Sequence, residues 1–200
     1  MLTPQLILAS GSPRRRRLLT EAGLKFTIIV PQVEEVWEDD DPANTVRLAV
    51  EKAQWTAELL RHHPPDKINR SAALFLLAAD TIVLLDGQIL GKPVDEKDAV
   101  SMLTRLSGRQ HVVTTGVAII NPAGQVKTLR VDSQVRIRPL TASEITAYVA
   151  TGSPLDKAGA YAVQDEEWNL VEQVVGSRSN IIGLPVAETL QLLKDSGWKS

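Results

Sequence analysis

Apolar and polar positions along the chain fall into blocks whose period changes, and each block predicts an element. Leu6 to Ala9 is a short apolar run that reads as a buried strand. Ser10-Gly11-Ser12 then forms a small-residue turn, with Ser12 as the helix N-cap and Pro13 at the first helical position. The helix that follows opens on Arg14-Arg15-Arg16-Arg17, and Gly23 is placed to close it. Lys25 to Val30 alternates as a second short strand, and an acidic stretch containing Glu34, Glu35, Glu38 and Asp39 to Asp41 reads as a solvated loop. Pro42 to about His62 predicts a long amphipathic helix. Its apolar stripe is Val46, Val50, Ala53, Ala57 and Leu60, with Lys52 at the edge, where a lysine ordinarily snorkels.

Ala72 to Ala79 is apolar on both faces, as a central strand is, and is expected to stop at Asp80. Thr81 to Leu85 and Gln88 to Leu90 flank Asp86-Gly87, a strong hairpin signal, and lead to Gly91-Lys92-Pro93. Asp80 and Lys92 are thereby expected at the open ends of paired strands. Asp95 caps a helix through Leu106. Gln110 to Ile120 and Val126 to Ile137 predict two long strands joined by Asn121-Pro122-Ala123-Gly124, and Thr141 to Glu144 is a capping box. Pro154 to Gln164 is a loop rich in small residues, Leu170 to Val175 a strand, Gly176 to Gly183 a loop, and Pro185 to Lys194 a final helix. No repeat or linker interrupts the strands and helices, which reads as one domain over residues 1–200, with two lobes.

Composition narrows the function classes. At 200 residues, 44% hydrophobic and 23% charged, the chain is ordinary globular material. A net charge of −2 and four scattered tryptophans argue against a nucleic-acid reader. No apolar run approaches the roughly 18 residues of a membrane span, and the N-terminus lacks the order of a secretory signal, so a cytoplasmic protein without membrane contact is expected. The absence of cysteine excludes disulfides, a thiolate nucleophile and a cysteine-based zinc site.

The positive charge is local. A helix N-terminus lined by Ser10, Gly11 and Ser12 presents free N–H groups to an anion. Helical residues step about 100° apart, so Arg14 and Arg15 lean toward this turn while Arg16 and Arg17 face elsewhere. With the carboxylates Glu35 and Asp80 and the ammonium groups Lys52 and Lys92, this mixture suits a polyanionic substrate carrying a divalent cation, Mg²⁺ or Mn²⁺. The implied reaction is attack of water on a phosphoanhydride, with a carboxylate such as Asp80 accepting its proton.

Ser10-Gly11-Ser12-Pro13-Arg14-Arg15, Glu35, Glu51-Lys52-Ala53, Ala79-Asp80-Thr81, Gly91-Lys92-Pro93, Asp156 to Tyr161 and Gly183-Leu184-Pro185, in this order, resemble the Maf family. The resemblance implies a nucleoside triphosphate pyrophosphatase with a mixed α/β fold, a twisted central sheet flanked by helices. It also implies two lobes around a cleft, a kinship with the inosine triphosphate pyrophosphatase fold, and a homodimer. It makes Asp80 the proton acceptor and, with Glu35, a metal ligand, and sets Ser10, Ser12, Arg14, Arg15, Lys52 and Lys92 along the phosphates. Arg14, Thr81 and Gln164 match the branch acting on dTTP and UTP. The branch preferring 7-methyl-GTP has tryptophan, aspartate and glutamate there. An amide such as Gln164 both donates to and accepts from a uracil edge, which a carboxylate cannot do.

Two positions depart from the family pattern: Asp165-Glu166-Glu167 follow Gln164 where glycine often stands, and Arg178 replaces an expected tyrosine. Both concern the base end of the substrate. The alternatives are the same reaction on 7-methyl-GTP or a noncanonical purine triphosphate, and a non-catalytic nucleotide-binding regulator of cell division.

Overall fold

In the computed structural model, which describes residues 4–36, 39–66, 68–69 and 71–199, the first strand β1 (Pro4–Ala9) is flanked on both sides by parallel partners. These are β2 (Phe26–Ile29), in register from Leu6 with Phe26 to Ala9 with Ile29, and β3 (Ala73–Leu85), in register from Pro4 with Ala73 to Leu8 with Leu77. A strand paired on both edges with a helix behind it favours apolar residues, and Leu6 to Ala9 are all buried. Between β1 and β2 runs α1 (Pro13–Glu21), capped by Ser12, whose Oγ accepts from the Arg15 N–H at 3.4 Å.

The remaining elements are α2 (Asn44–His62), β4 (Gln88–Leu90), α3 (Glu96–Leu106), β5 (Gln110–Ile120), β6 (Val126–Ile137), α4 (Ala142–Ala150), β7 (Val171–Val175), α5 (Arg178–Ile182) and α6 (Val186–Asp195). Short 3₁₀ turns occupy Ser153–Asp156, Ala158–Ala160 and Glu166–Trp168. Hydrogen bonds join the strands in the order β2-β1-β3-β5-β6-β7, with β4 beside β3. The sheet is mixed, because β4 runs antiparallel to β3 and β7 antiparallel to β6.

The chain divides into two compact units. The first comprises Met1–Asp80, Thr115–Val131 and Gly183–Ser200. Its core sets Ala49 and Ala53 of α2 against Ile7, Ala9, Leu76 and Ala118 of the strands. The second comprises Thr81–Thr114 and Asp132–Ile182, with Leu103 and Leu106 of α3 and Tyr148 of α4 packed among Leu85, Val135 and Ile137. Strands β3, β5 and β6 each contribute residues to both units.

Three expectations need correction. The third strand does not stop at Asp80 but continues to Leu85, so Asp80 sits inside a strand rather than at its end. The loop from Gly176 to Gly183 contains a helical turn, α5. The buried face of α2 is Thr45, Leu48, Ala49, Lys52, Ala53 and Thr56, whereas Val46, Val50, Ala57 and Leu60 are only partly covered. Lys52 therefore lies in the buried face, not at its edge. Within the acidic stretch, Glu38 falls outside the described residues.

Candidate active site

Ser10 follows β1 directly, where the parallel strands end and the chain turns into α1. Its hydroxyl is buried and accepts from the Ser12 backbone N–H and from Arg15 Nη1, both at 3.2 Å. Arg15 is held a second time, its Nε donating to the Gly183 carbonyl at 2.8 Å. A guanidinium fixed at two points presents its charge in one direction. Burial lowers its pKa from the usual value, with Asp80 and Glu35 opposing that effect and Arg14 adding to it. Arg14 is half-buried beside it, while Arg16 and Arg17 are exposed and Arg17 pairs with Glu21 at 2.6 Å.

Lys52 comes to the same place from α2. Its Nζ donates to Asp80 Oδ1 at 2.5 Å and to Glu35 Oε1 at 2.7 Å, so one ammonium bridges two carboxylates. Lys52 is 6% exposed and Asp80 4%, whereas the Glu35 side chain remains 45% exposed. Burial is the largest influence on Asp80 and raises its pKa. Lys52 and Arg15 pull it down without cancelling that rise, and Glu35 adds to it. The second carboxylate oxygen, Asp80 Oδ2, is buried and has no hydrogen-bond partner among the described residues. A buried carboxylate oxygen left without a donor is costly unless another group is meant to meet it.

The position of α2 depends on a glycine that the hydrophobic pattern does not mark. A Cβ at Gly116 of β5 would lie 2.3 Å from the Thr45 carbonyl carbon and 2.4 Å from the Val46 nitrogen. Only a residue without a side chain lets the strand meet the helix backbone this closely, and that contact sets the start of the helix carrying Lys52. The Gly183 carbonyl is likewise invisible to side-chain patterns, because its part is played by backbone.

In the first unit the structure thus brings together Ser10, Ser12, Arg14, Arg15, Glu35, Lys52 and Asp80. The other three expected site residues belong to the second unit. Thr81 follows Asp80 on β3, Lys92 is exposed in the loop after β4, and Gln164 is half-buried in the turn after Tyr161.

Among the described residues, no group of three or more histidine, cysteine, aspartate or glutamate side chains is arranged to hold a metal. The donor set at hand is two carboxylates, one with an unpartnered oxygen. That suits Mg²⁺ or Mn²⁺, which take hard oxygen ligands, and Mg²⁺ in particular is commonly held by one or two carboxylates together with water and substrate phosphates. Among the described residues no helix is long and apolar enough to cross a membrane.

Comparison with known proteins places these features in context. Residues 5–196 match the family described as Maf-like protein. A protein of Geobacter metallireducens named dTTP/UTP pyrophosphatase is 44% identical over 196 residues, covering 96% of each chain. One of Myxococcus xanthus with the same name is 45% identical over 195 residues, covering 96% of this chain and 92% of its own. Among solved structures, a HAM1 protein from Coxiella burnetii has a TM-score of 0.52 at 17% identity, covering 98% of this chain and 100% of that one. The Staphylococcus aureus Ham1 protein has a TM-score of 0.53 at 14% identity, covering 97% and 100%. These two likenesses concern the fold.

Proposed function

The chain belongs to the Maf family, and we propose that it is a nucleoside triphosphate pyrophosphatase hydrolysing dTTP and UTP to the monophosphate and pyrophosphate. The observation that carries the reading is the buried Asp80, bridged through Lys52 to Glu35, with Oδ2 unpartnered next to the Ser10 and Arg15 anion cradle. Asp80 acts as general base. It takes a proton from the water whose oxygen bonds to the α-phosphorus as the bond to the bridging oxygen breaks and pyrophosphate leaves. Lys52 fixes the direction in which Asp80 points, so that its second oxygen faces the place a water would occupy.

Ser10, Ser12, the N–H groups opening α1, Arg14, Arg15, Lys52 and Lys92 bind the phosphates. Arg15 and Lys52 are held before substrate arrives, the first by Ser10 and the Gly183 carbonyl, the second by Asp80 and Glu35. Asp80 and Glu35 would hold the divalent cation, which would supply Lewis-acid polarisation of the phosphate oxygens. Thr81 and Gln164 read the base, Gln164 offering both a donor and an acceptor to the uracil or thymine edge. To this reading belong a single domain over residues 1–200 and a cytoplasmic setting, both drawn from the sequence pattern, and a homodimer, which the family resemblance implies.

The test is pyrophosphate release from UTP, dTTP, 7-methyl-GTP and ITP in the presence of Mg²⁺ or Mn²⁺. UTP and dTTP should have the highest kcat/KM, because specificity is the ratio of those constants. Asp80→Asn should lower kcat by roughly 10²- to 10⁴-fold, the usual share of a general base. Undiminished turnover by that variant would remove Asp80 from the mechanism.

A further inference from the structure

The two departures from the family pattern meet in space. Asp165 and Glu166 belong to the segment that carries Gln164, and both are tied down, Glu166 by Arg178. The Asp165 N–H donates to the Ala162 carbonyl at 3.3 Å, closing a turn with Val163 and Gln164 at its tip. Tyr148 of α4 straps both ends of that turn with a single hydroxyl. It donates to Asp165 Oδ2 at 2.6 Å and accepts from the Ala162 backbone N–H at 3.2 Å. Ser153 Oγ donates to the same carboxylate oxygen at 2.8 Å. Beyond the turn, Arg178 Nη2 donates to Glu166 Oε1 at 3.1 Å, and the Tyr148 ring packs on Trp168 with centroids 5.2 Å apart.

We propose that the Tyr148 hydroxyl and the Asp165 carboxylate form a positioning strap that sets Gln164 for base recognition, so that they determine nucleotide specificity without touching the nucleotide. The inference rests on the reading of Gln164 as the base-recognising residue.

The Asp165 carboxylate turns back onto the hydroxyls of Tyr148 and Ser153. Such charge-assisted hydrogen bonds are short and directional. Burial and the neighbouring carboxylate push the Tyr148 phenol well above its usual pKa, so it keeps the proton it donates. An amide at the tip of a two-residue turn reads a base edge well only while the ends of the turn are fixed, because one hydrogen bond spans about 3 Å and a displacement of about 1 Å breaks it.

Tyr148→Phe isolates the hydroxyl, because the ring that packs on Trp168 remains. Initial rates of pyrophosphate release are measured for UTP and for 7-methyl-GTP or ITP. The set is the full-length wild type, Tyr148→Phe, Asp165→Ala, Asp165→Asn, Gln164→Ala and the Tyr148→Phe/Gln164→Ala pair. Tyr148→Phe and Asp165→Ala should raise KM for UTP by roughly tenfold with kcat little changed, and lower selectivity for UTP over the purine by a similar factor. That is the pattern of a lost binding hydrogen bond. Asp165→Asn, which still accepts from both hydroxyls, should recover most of the loss. The double variant should be no less selective than Gln164→Ala alone, since the strap acts only through Gln164.

If Gln164→Ala abolishes selectivity but Tyr148→Phe and Asp165→Ala leave it intact, the strap is overturned and the reading of Gln164 stands. Equal slowing of both nucleotides by the strap variants also overturns it, leaving the hydroxyl a part in the fold alone. If Gln164→Ala itself leaves selectivity unchanged, the reading of Gln164 fails and the strap fails with it. Should Tyr148→Phe not fold, the Asp165 pair answers the same question.

Discussion

Lys52 concentrates the tension of the site in one side chain. A buried ammonium between two carboxylates is retained only if its partners stay, and removing one member of a buried pair typically costs 3–5 kcal/mol. Lys52→Met keeps the length and apolar stem of the side chain but leaves Asp80 with Arg15 as its remaining cationic neighbour. The variant should lose roughly 3 kcal/mol of stability in urea unfolding at neutral pH. A loss well under 1 kcal/mol would mean the pair is relaxed in solution. His111 makes a separate prediction. Burial holds its pKa down to about 4 from 6.5, and its Nε2 lies 2.7 Å from the Tyr161 hydroxyl. The folded state therefore resists the proton that the unfolded chain accepts. This contribution is complete above about pH 6.5 and is lost as pH falls toward 4, amounting to roughly 3 kcal/mol. Unfolding midpoints at pH 7 and pH 4.5 should differ by correspondingly less in His111→Gln, and an equal difference would contradict this assignment. Sequence spacing suggested neither role. Lys52 looked like a residue at the edge of an apolar stripe, because its partner Asp80 is 28 positions away and such a pairing leaves no periodic mark.

At the level of elements, local rules succeeded where local chemistry is complete. The Ser12 cap, the Asp95 cap and the Thr141 capping box all form, because each satisfies helix N–H groups with side chains only a few residues away. Long strands β5 and β6 match their patterns from end to end. The misreadings have a common origin in tertiary contacts. An aspartate inside an apolar run resembles a strand terminator, but β3 continues through Asp80 because Lys52 meets the carboxylate there. The buried face of α2 includes Thr45, Lys52 and Thr56 at helical spacing, which a stripe drawn from apolar residues alone passes over. Gly116 is the sharpest case. Gly116→Ala would place a methyl carbon against the backbone of Thr45 and Val46, and should destabilise the protein by about 3 kcal/mol or more. The same variant should impair turnover in whatever fraction folds, because α2 carries Lys52. A Tm within 2 °C of wild type, about the shift of less than 1 kcal/mol in a chain of this size, would show that strand and helix part easily.

For the whole molecule, the functional reading comes from two kinds of information that meet at Asp80. The ordered motifs from Ser10 to Pro185 identify the family, and the full-length similarity to proteins named dTTP/UTP pyrophosphatase agrees with that resemblance. The structure adds what motifs do not contain: an aspartate with one oxygen on Lys52 and the other unpartnered, beside an arginine held by Ser10 and Gly183. The central claim is that this aspartate activates water for cleavage of a pyrimidine nucleoside triphosphate. The most direct measurement compares pyrophosphate release from UTP by the wild type and by Asp80→Asn, at saturating nucleotide with Mg²⁺ or Mn²⁺, alongside binding of UTP to each. UTP still bound, with kcat lower by roughly 10²-fold or more, is the predicted result. Equal turnover by the two proteins, or binding of UTP by the wild type without release of pyrophosphate, would contradict it.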